Sequence, residues 1–227
     1  MTGRPAGRAA ETAAPPSLLA IYADESCLGN GREGSNPGGA AGVIEYVHPA
    51  SGNLTRWDYW ISEPATTNNR MALRSVIEAF RAVSRKGRRF RVTFTSDSQY
   101  LVKGMSEWVF GWMARGWKKK DGPILNLELW QEAVDAVRTG GHQVSWQWVR
   151  GHEGHPQNEY ANYLATRAAR EQSSSRGVAA SRFDEWLAGE RQKGKGHMAM
   201  APQEFPDGAR FRPVRPYPVV APPSTMS

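Results

Sequence analysis

Residues 18–23, Leu-Leu-Ala-Ile-Tyr-Ala, form a nearly continuous apolar run. A strand of this kind has no face to turn toward water, so both of its faces must be covered. That requirement points to the interior of a sheet with helices packed on both faces. The hydrophobic period then supplies the rest of the order. GGAAGVIEYV at 38–47 and LTRWDYWI at 54–61 read as two further strands, joined by the turn residues His48 to Asn53 and expected to be antiparallel. Leu73, Val76, Ile77, Phe80 and Val83 make one stripe of an amphipathic helix, preceded by the cap-competent Thr67, Asn68 and Asn69.

Phe90, Val92 and Phe94 alternate in a fourth strand that runs into Ser96 and Asp97. Helical segments are expected around 99–106, 106–114 and 126–138, followed by a fifth strand carrying Val144, Trp146 and Trp148. A last helix, from about Pro156 to Glu171, would bury Tyr160, Ala161, Leu164, Ala165 and Ala168. The expectation is an α/β fold: a five-stranded mixed sheet, three antiparallel strands and then two more, with helices on both faces.

The 227 residues, 40% of them apolar, suffice for one such domain with tails. Residues 1–16 are Ala- and Pro-rich without period and read as a disordered leader; the domain spans 17–172. Residues 173–227 read as a Ser/Pro-rich, largely disordered tail, with one short amphipathic helix at 181–191. A single cysteine, Cys27, excludes a disulfide framework and suits a reducing compartment. No apolar run is long enough to span a bilayer and no signal core follows the N-terminus, so no membrane association and a cytoplasmic monomer are expected. The formal charge of +7 favours a polyanionic partner.

Asp24 ends the first strand and Asp97 ends the fourth, which would place both carboxylates at the carboxyl edge of the sheet, where α/β ligand sites tend to lie. Either alone would more often be a turn or cap residue. Their surroundings decide otherwise. YADESCLGN at 22–30, TTNNRM at 66–71, TSDSQY at 95–100, WVFGWMARGWKKK at 108–120 and WVRGHEGHPQNEYANYLA at 148–165 occur in the order found in ribonuclease H type 1 enzymes. The chain resembles that family, in its bacterial style, over about 155 residues.

The resemblance implies hydrolysis of the RNA strand of RNA/DNA hybrids. In the family an Asp, Glu, Asp, Asp set holds two Mg²⁺ ions, which Mn²⁺ can replace, against the scissile phosphate. Asp24 and Asp97 match two members of that set. The family Glu falls at Ala72, which offers no ligand, and the last Asp falls at Asn162, which offers a weaker neutral oxygen. The expectation is therefore hybrid binding with weakened metal binding and weak or absent cleavage, a pseudoenzyme. The alternative is an active hybrid endoribonuclease with a compensating ligand such as Glu25. Successive strand residues point to opposite faces, however, so Glu25 should face away from Asp24 unless the strand end is kinked.

The resemblance further implies that His152, in a mobile loop, assists at the scissile phosphate. It gives Asn30, Asn69 and Gln99 a minor-groove role at the 2′-hydroxyls, with double-stranded RNA as a second candidate ligand. Thr67 and Asn68 belong to the same motif, with phosphate contact and helix capping as competing roles. Trp108, Trp112, Arg115, Trp117, Lys118, Lys119 and Lys120, with Lys103, form the family's aromatic and basic handle. At least one of those tryptophans is expected to be helix-packing core instead.

Overall fold

A computed structural model of the chain describes residues 16–29, 36–85, 87–151, 153–194 and 201–218. Three antiparallel strands come first: β1 (Leu18–Cys27), β2 (Gly38–Val47) and β3 (Leu54–Glu63). Helix α1 (Asn68–Ser84) returns the chain to β4 (Arg91–Ser96), which lies parallel to β1. Next come α2 (Gln99–Lys103), a π-helical turn (Gly104–Trp108), α3 (Val109–Ala114) and α4 (Leu127–Thr139). After them β5 (Gln143–Trp148) pairs parallel to β4. The long α5 (Pro156–Glu171), the two-residue β6 (Ala179–Ala180) and α6 (Phe183–Gln192) complete the series, and the sheet order is β5-β4-β1-β2-β3-β6.

The sheet has six strands rather than five. Ala179 and Ala180 pair with Asp58 and Trp57 at the outer edge of β3, and two alanines carry no alternation from which a strand could be read.

The apolar run at 18–23 is buried on both faces. Leu19, Ile21 and Ala23 join the core under α1 and α4, whereas Ala20 and Tyr22 join the core under α5 and α6. On the first side Leu73, Val76, Ile77 and Phe80 of α1 are fully buried. Each contributes about 1.5–3 kcal/mol on removal from water. On the second side α5 presents small residues, Ala161, Ala165, Ala168 and Ala169, so it can sit close to the sheet. At Gly39 of β2 a methyl group would collide with the Ala165 carbonyl. This close approach places the first turns of α5 over the end of β1.

The residues after 173 differ from the expected disordered tail. The helix anticipated at 181–191 forms as α6, with Phe183 and Leu187 buried against Tyr160 and Leu164. The extended segment 201–218 also lies on the domain. Gln203 and Gln157 exchange two hydrogen bonds of 2.8 Å, the Val214 amide donates to the Val144 carbonyl at 2.9 Å, and Tyr217 is buried. This segment has no period because it makes no element of its own. Its scattered apolar side chains instead fill gaps in a core that the rest of the chain builds. Among the described residues no helix is long and apolar enough to cross a membrane.

Candidate active site

The parallel pairing of β1 with β4 runs to Ala23↔Ser96 and stops there. Asp24 and Asp97 are the next residues in each strand, so they leave the sheet side by side at its carboxyl edge. Oxygens from Asp24, Glu25 and Asp97 all lie within 4.8 Å of one another. The expectation that Glu25 faces away from Asp24 is corrected by this geometry.

Two features account for it. Beyond Ala23, β1 continues to Cys27 paired with β2 alone, so the flank that β4 occupied is open and carboxylates can gather there. In addition, the Glu25 amide donates to Asp24 Oδ1 at 2.7 Å, which turns the Asp24 carboxyl back along its own strand. The alternation rule fixes only where the Cβ atoms point; at an open strand end the longer carboxyl arms can still converge.

Neighbouring elements hold the cluster. Asn158, buried on the first turn of α5, donates to Asp24 Oδ2 and to the Ala23 carbonyl, each at 3.4 Å. Ser98 caps α2 and its side chain hydrogen-bonds the Glu25 carboxylate. Trp148 Nε1 donates to the Asp97 carbonyl at 2.9 Å, and Gly151 lies so near that a methyl group there would collide with the Asp97 carboxylate.

Electrostatics follow from the crowding. Burial, and after it the charges of Asp97 and Glu25, push Asp24 well above the usual carboxylate range, against the Glu25 N–H bond. Burial and then the Asp97 charge push Glu25 up to about 8, opposed by the Ser98 hydrogen bond. Three acids held this way repel one another unless protons or a cation intervene. Hard carboxylate oxygens are the ligands that Mg²⁺ and Mn²⁺ take, and oxygens about 2.1 Å from one Mg²⁺ lie at most about 4.2 Å apart. The donor set therefore fits a divalent cation after a closure of only a few tenths of an ångström.

The remaining site residues divide by location. Ala72 is fully buried in the core under α1 and brings no oxygen. Asn162 is half-buried on α5, one turn after Asn158 and one turn before Thr166, whose hydroxyl bonds to Ser26 at 3.0 Å. Bonded neighbours on both sides thus set its helical face along the end of β1. Asn30 and His152 lie outside the described residues.

Thr67 is the cap of α1, its hydroxyl accepting from the Arg70 amide at 3.4 Å, and Asn68 and Asn69 follow in the first turn. Their helix start is tied to the end of β1 by the Cys27 thiol, 3.4 Å from the Thr66 carbonyl. Gln99 is exposed two residues past Asp97. In the handle Lys103, Arg115, Lys118, Lys119 and Lys120 are exposed. Trp112 and Trp117 pack against the core, which leaves Trp108, 36% exposed, as the tryptophan that faces outward.

Reading the sequence undervalued Glu25 and overlooked Asn158, Ser98 and Gly151. Asn158 opens the Asn-Glu-x-x-Asn pattern and Ser98 directly follows Asp97, so both stood within the quoted motifs. Only the tertiary approach of α5 and α2 gives them a partner.

Comparison with known proteins agrees with this architecture. The family model for RNase H matches residues 16–170. A ribonuclease H of Pelobacter propionicus is 42% identical over 173 residues, covering 75% of this chain and 97% of that protein. One from Cupriavidus necator is 46% identical over 151 residues, 66% of this chain and 93% of its own length. The crystal structure of LC9-RNase H1, described as a type 1 RNase H with the type 2 active-site motif, superposes with a TM-score of 0.83 at 59% identity. That alignment covers 92% of this chain and 97% of that one. Fold, strand-end carboxylates and sequence relationship converge: this chain belongs to the ribonuclease H family.

Proposed function

We propose that this chain is a metal-dependent endoribonuclease that hydrolyses the RNA strand of RNA/DNA hybrids, with Asp24, Glu25, Asp97 and Asn162 as its ligand set. The observation that carries this reading is the convergence of the Asp24, Glu25 and Asp97 carboxylates within 4.8 Å. Glu25 restores on the strand the charge that Ala72 withholds on the helix, so the protein set carries three formal negative charges. The description of LC9-RNase H1, a type 1 protein with a type 2 motif, supports a displaced carboxylate in a relative of this similarity.

Divalent ions bound there would supply charge stabilisation at the phosphate and a more acidic bound water. The residues of this chain do the positioning. Asp24 and Asp97 define the edge, Ser98 steers the Glu25 carboxylate, Asn158 steers Asp24, and Asn162 offers a neutral oxygen from α5. Asn69 and Gln99 flank the site with exposed amides suited to 2′-hydroxyls, and the basic handle attracts the phosphates.

The test is cleavage of labelled hybrid by the purified chain in Mg²⁺ and in Mn²⁺, beside Glu25→Gln. The wild type is expected to cleave, and Glu25→Gln to lose about 10²–10³ in rate, as for removal of a group acting on transition-state charge. A second reading, a silent hybrid-binding protein, is favoured by Ala72 and Asn162 together. Hybrid binding by the wild type without cleavage in either metal would establish it and end the first.

A further inference from the structure

The segment 201–218 lies beyond the residues that match the family model, yet it reaches the root of the handle. Its last described part is held at Tyr217, whose ring stacks on Phe110 of α3 with centroids 5.1 Å apart and planes 15° apart. The Tyr217 hydroxyl donates to the Met105 carbonyl at 2.9 Å and accepts from Trp146 Nε1 of β5 at 2.9 Å. Burial pushes this phenol well above its ordinary pKa, so it remains a donor at any working pH.

Met105 sits in the π-helical turn. The Val109 amide bonds to the Gly104 carbonyl, five residues back, rather than to that of Met105. Such a turn is strained relative to an α-helix and recurs at functional positions. Here it is clamped from two sides. The Trp130 ring presses on Gly104 so closely that a methyl group there would collide with it, and Tyr217 ties the next carbonyl to the sheet. Everything past this turn, Trp108, Trp112 and the basic run to Lys120, takes its direction from it.

We propose that Tyr217 is a positioning residue for hybrid binding: by pinning the Met105 carbonyl to Trp146 it holds the wide turn that aims Trp108 and the basic run at the nucleic acid. This rests on the reading of the handle as a hybrid-binding element. A residue of the core alone would affect stability everywhere, whereas a positioning role is local and acts on affinity more than on the chemical step.

The experiment uses the full chain as wild type, Tyr217→Phe, Trp146→Phe and the Lys118, Lys119, Lys120 triple alanine variant. Tyr217→Phe keeps the ring on Phe110 and removes both hydrogen bonds, so it is expected to fold. Affinity for a fluorescent RNA/DNA hybrid is measured in Ca²⁺, single-turnover cleavage at saturating hybrid in Mg²⁺, and amide hydrogen exchange across residues 100–120. The proposal expects Tyr217→Phe to weaken hybrid binding by about threefold to tenfold, the worth of a hydrogen bond or two. The saturated rate should change less than twofold, and exchange should accelerate at 104–112 while the rest of the chain keeps its protection. Trp146→Phe, which leaves the bond to Met105, should fall between wild type and Tyr217→Phe. Unchanged affinity in Tyr217→Phe while the lysine variant loses binding would overturn the proposal and leave the handle reading intact. A uniform rise in exchange would likewise overturn it, in favour of a purely structural role. Wild type that binds no hybrid, or a lysine variant that binds as wild type does, would overturn the handle reading and this proposal with it.

Discussion

The Glu25 amide donates to Asp24 Oδ1 at 2.7 Å, so adjacent residues of one strand bring their carboxyl groups to one side of its open end. That bond connects backbone geometry to chemistry. It draws the Asp24 carboxyl toward the edge shared with Asp97 and leaves Oδ2 for Asn158.

Asn158→Ala should therefore release Asp24 without removing any carboxylate. Loss of a residue that orients a ligand typically lowers metal affinity about 10- to 100-fold. The expected outcome is a shift of that size in the Mg²⁺ concentration for half-maximal cleavage, with most of the rate recovered at high metal. A Mg²⁺ midpoint equal to wild type would show that Asn158 does not act on the site.

The pH dependence of the metal-free protein follows from the raised carboxyls. Glu25 ordinarily titrates near 4.5 and in the fold at about 8, so the folded state holds the proton more tightly. Its contribution to stability is whole below about 4.5, declines between those values and is gone above 8. Asp24, also raised, acts in the same direction. Melting temperature in EDTA should thus fall from pH 5 to pH 8 more steeply for the wild type than for Glu25→Gln. In Mg²⁺ the order should reverse, because bound metal takes the place of the protons. Identical pH profiles for the two proteins in EDTA would contradict this assignment.

Gly151→Ala tests the loop after β5. The added methyl group would strike the free end of the Asp97 carboxylate, which can swing aside. Stability should change by less than about 1 kcal/mol, while cleavage falls at least about tenfold because a ligand has moved. Urea unfolding and initial rates together check the separation; an equal loss in both would point to a folding defect.

Thr67→Ala separates the two roles that sequence left open. The structure gives its hydroxyl to the Arg70 amide as a helix cap, and losing such a cap costs about 0.5–2 kcal/mol. Unfolding free energy should drop by that amount with hybrid affinity unchanged. A loss of affinity larger than the loss of stability would assign the hydroxyl to a phosphate instead.

Much of this was legible from residue pattern. The double-sided burial of 18–23, the stripe from Leu73 to Phe80 and the strand-end placement of Asp24 and Asp97 rest on local periodicity, which the fold obeys. Glu25 was misjudged because alternation assumes a strand with neighbours on both sides, and β1 loses β4 one residue before Asp24. Asn158 and Gly151 matter through contacts with residues 134 and 54 positions away, a separation that no periodic signal spans. Tyr217 lay in a proline-rich stretch, where composition reports only that the segment cannot fold by itself. It is silent on whether a finished core has room for one more ring.

The outer strands of the sheet carry a further consequence. On one side the β3 backbone is engaged by Ser175, β6 and Ser181; on the other, the Val144 carbonyl of β5 accepts the Val214 amide. Bare strand edges are templates for pairing with other chains. The residues after 173 therefore act as selvedges, closing off the borders along which copies of this fold could stack. Trimming the chain to the segment shared with its family would be felt first as a lowered concentration limit before precipitation, ahead of any change in the chemistry at Asp24.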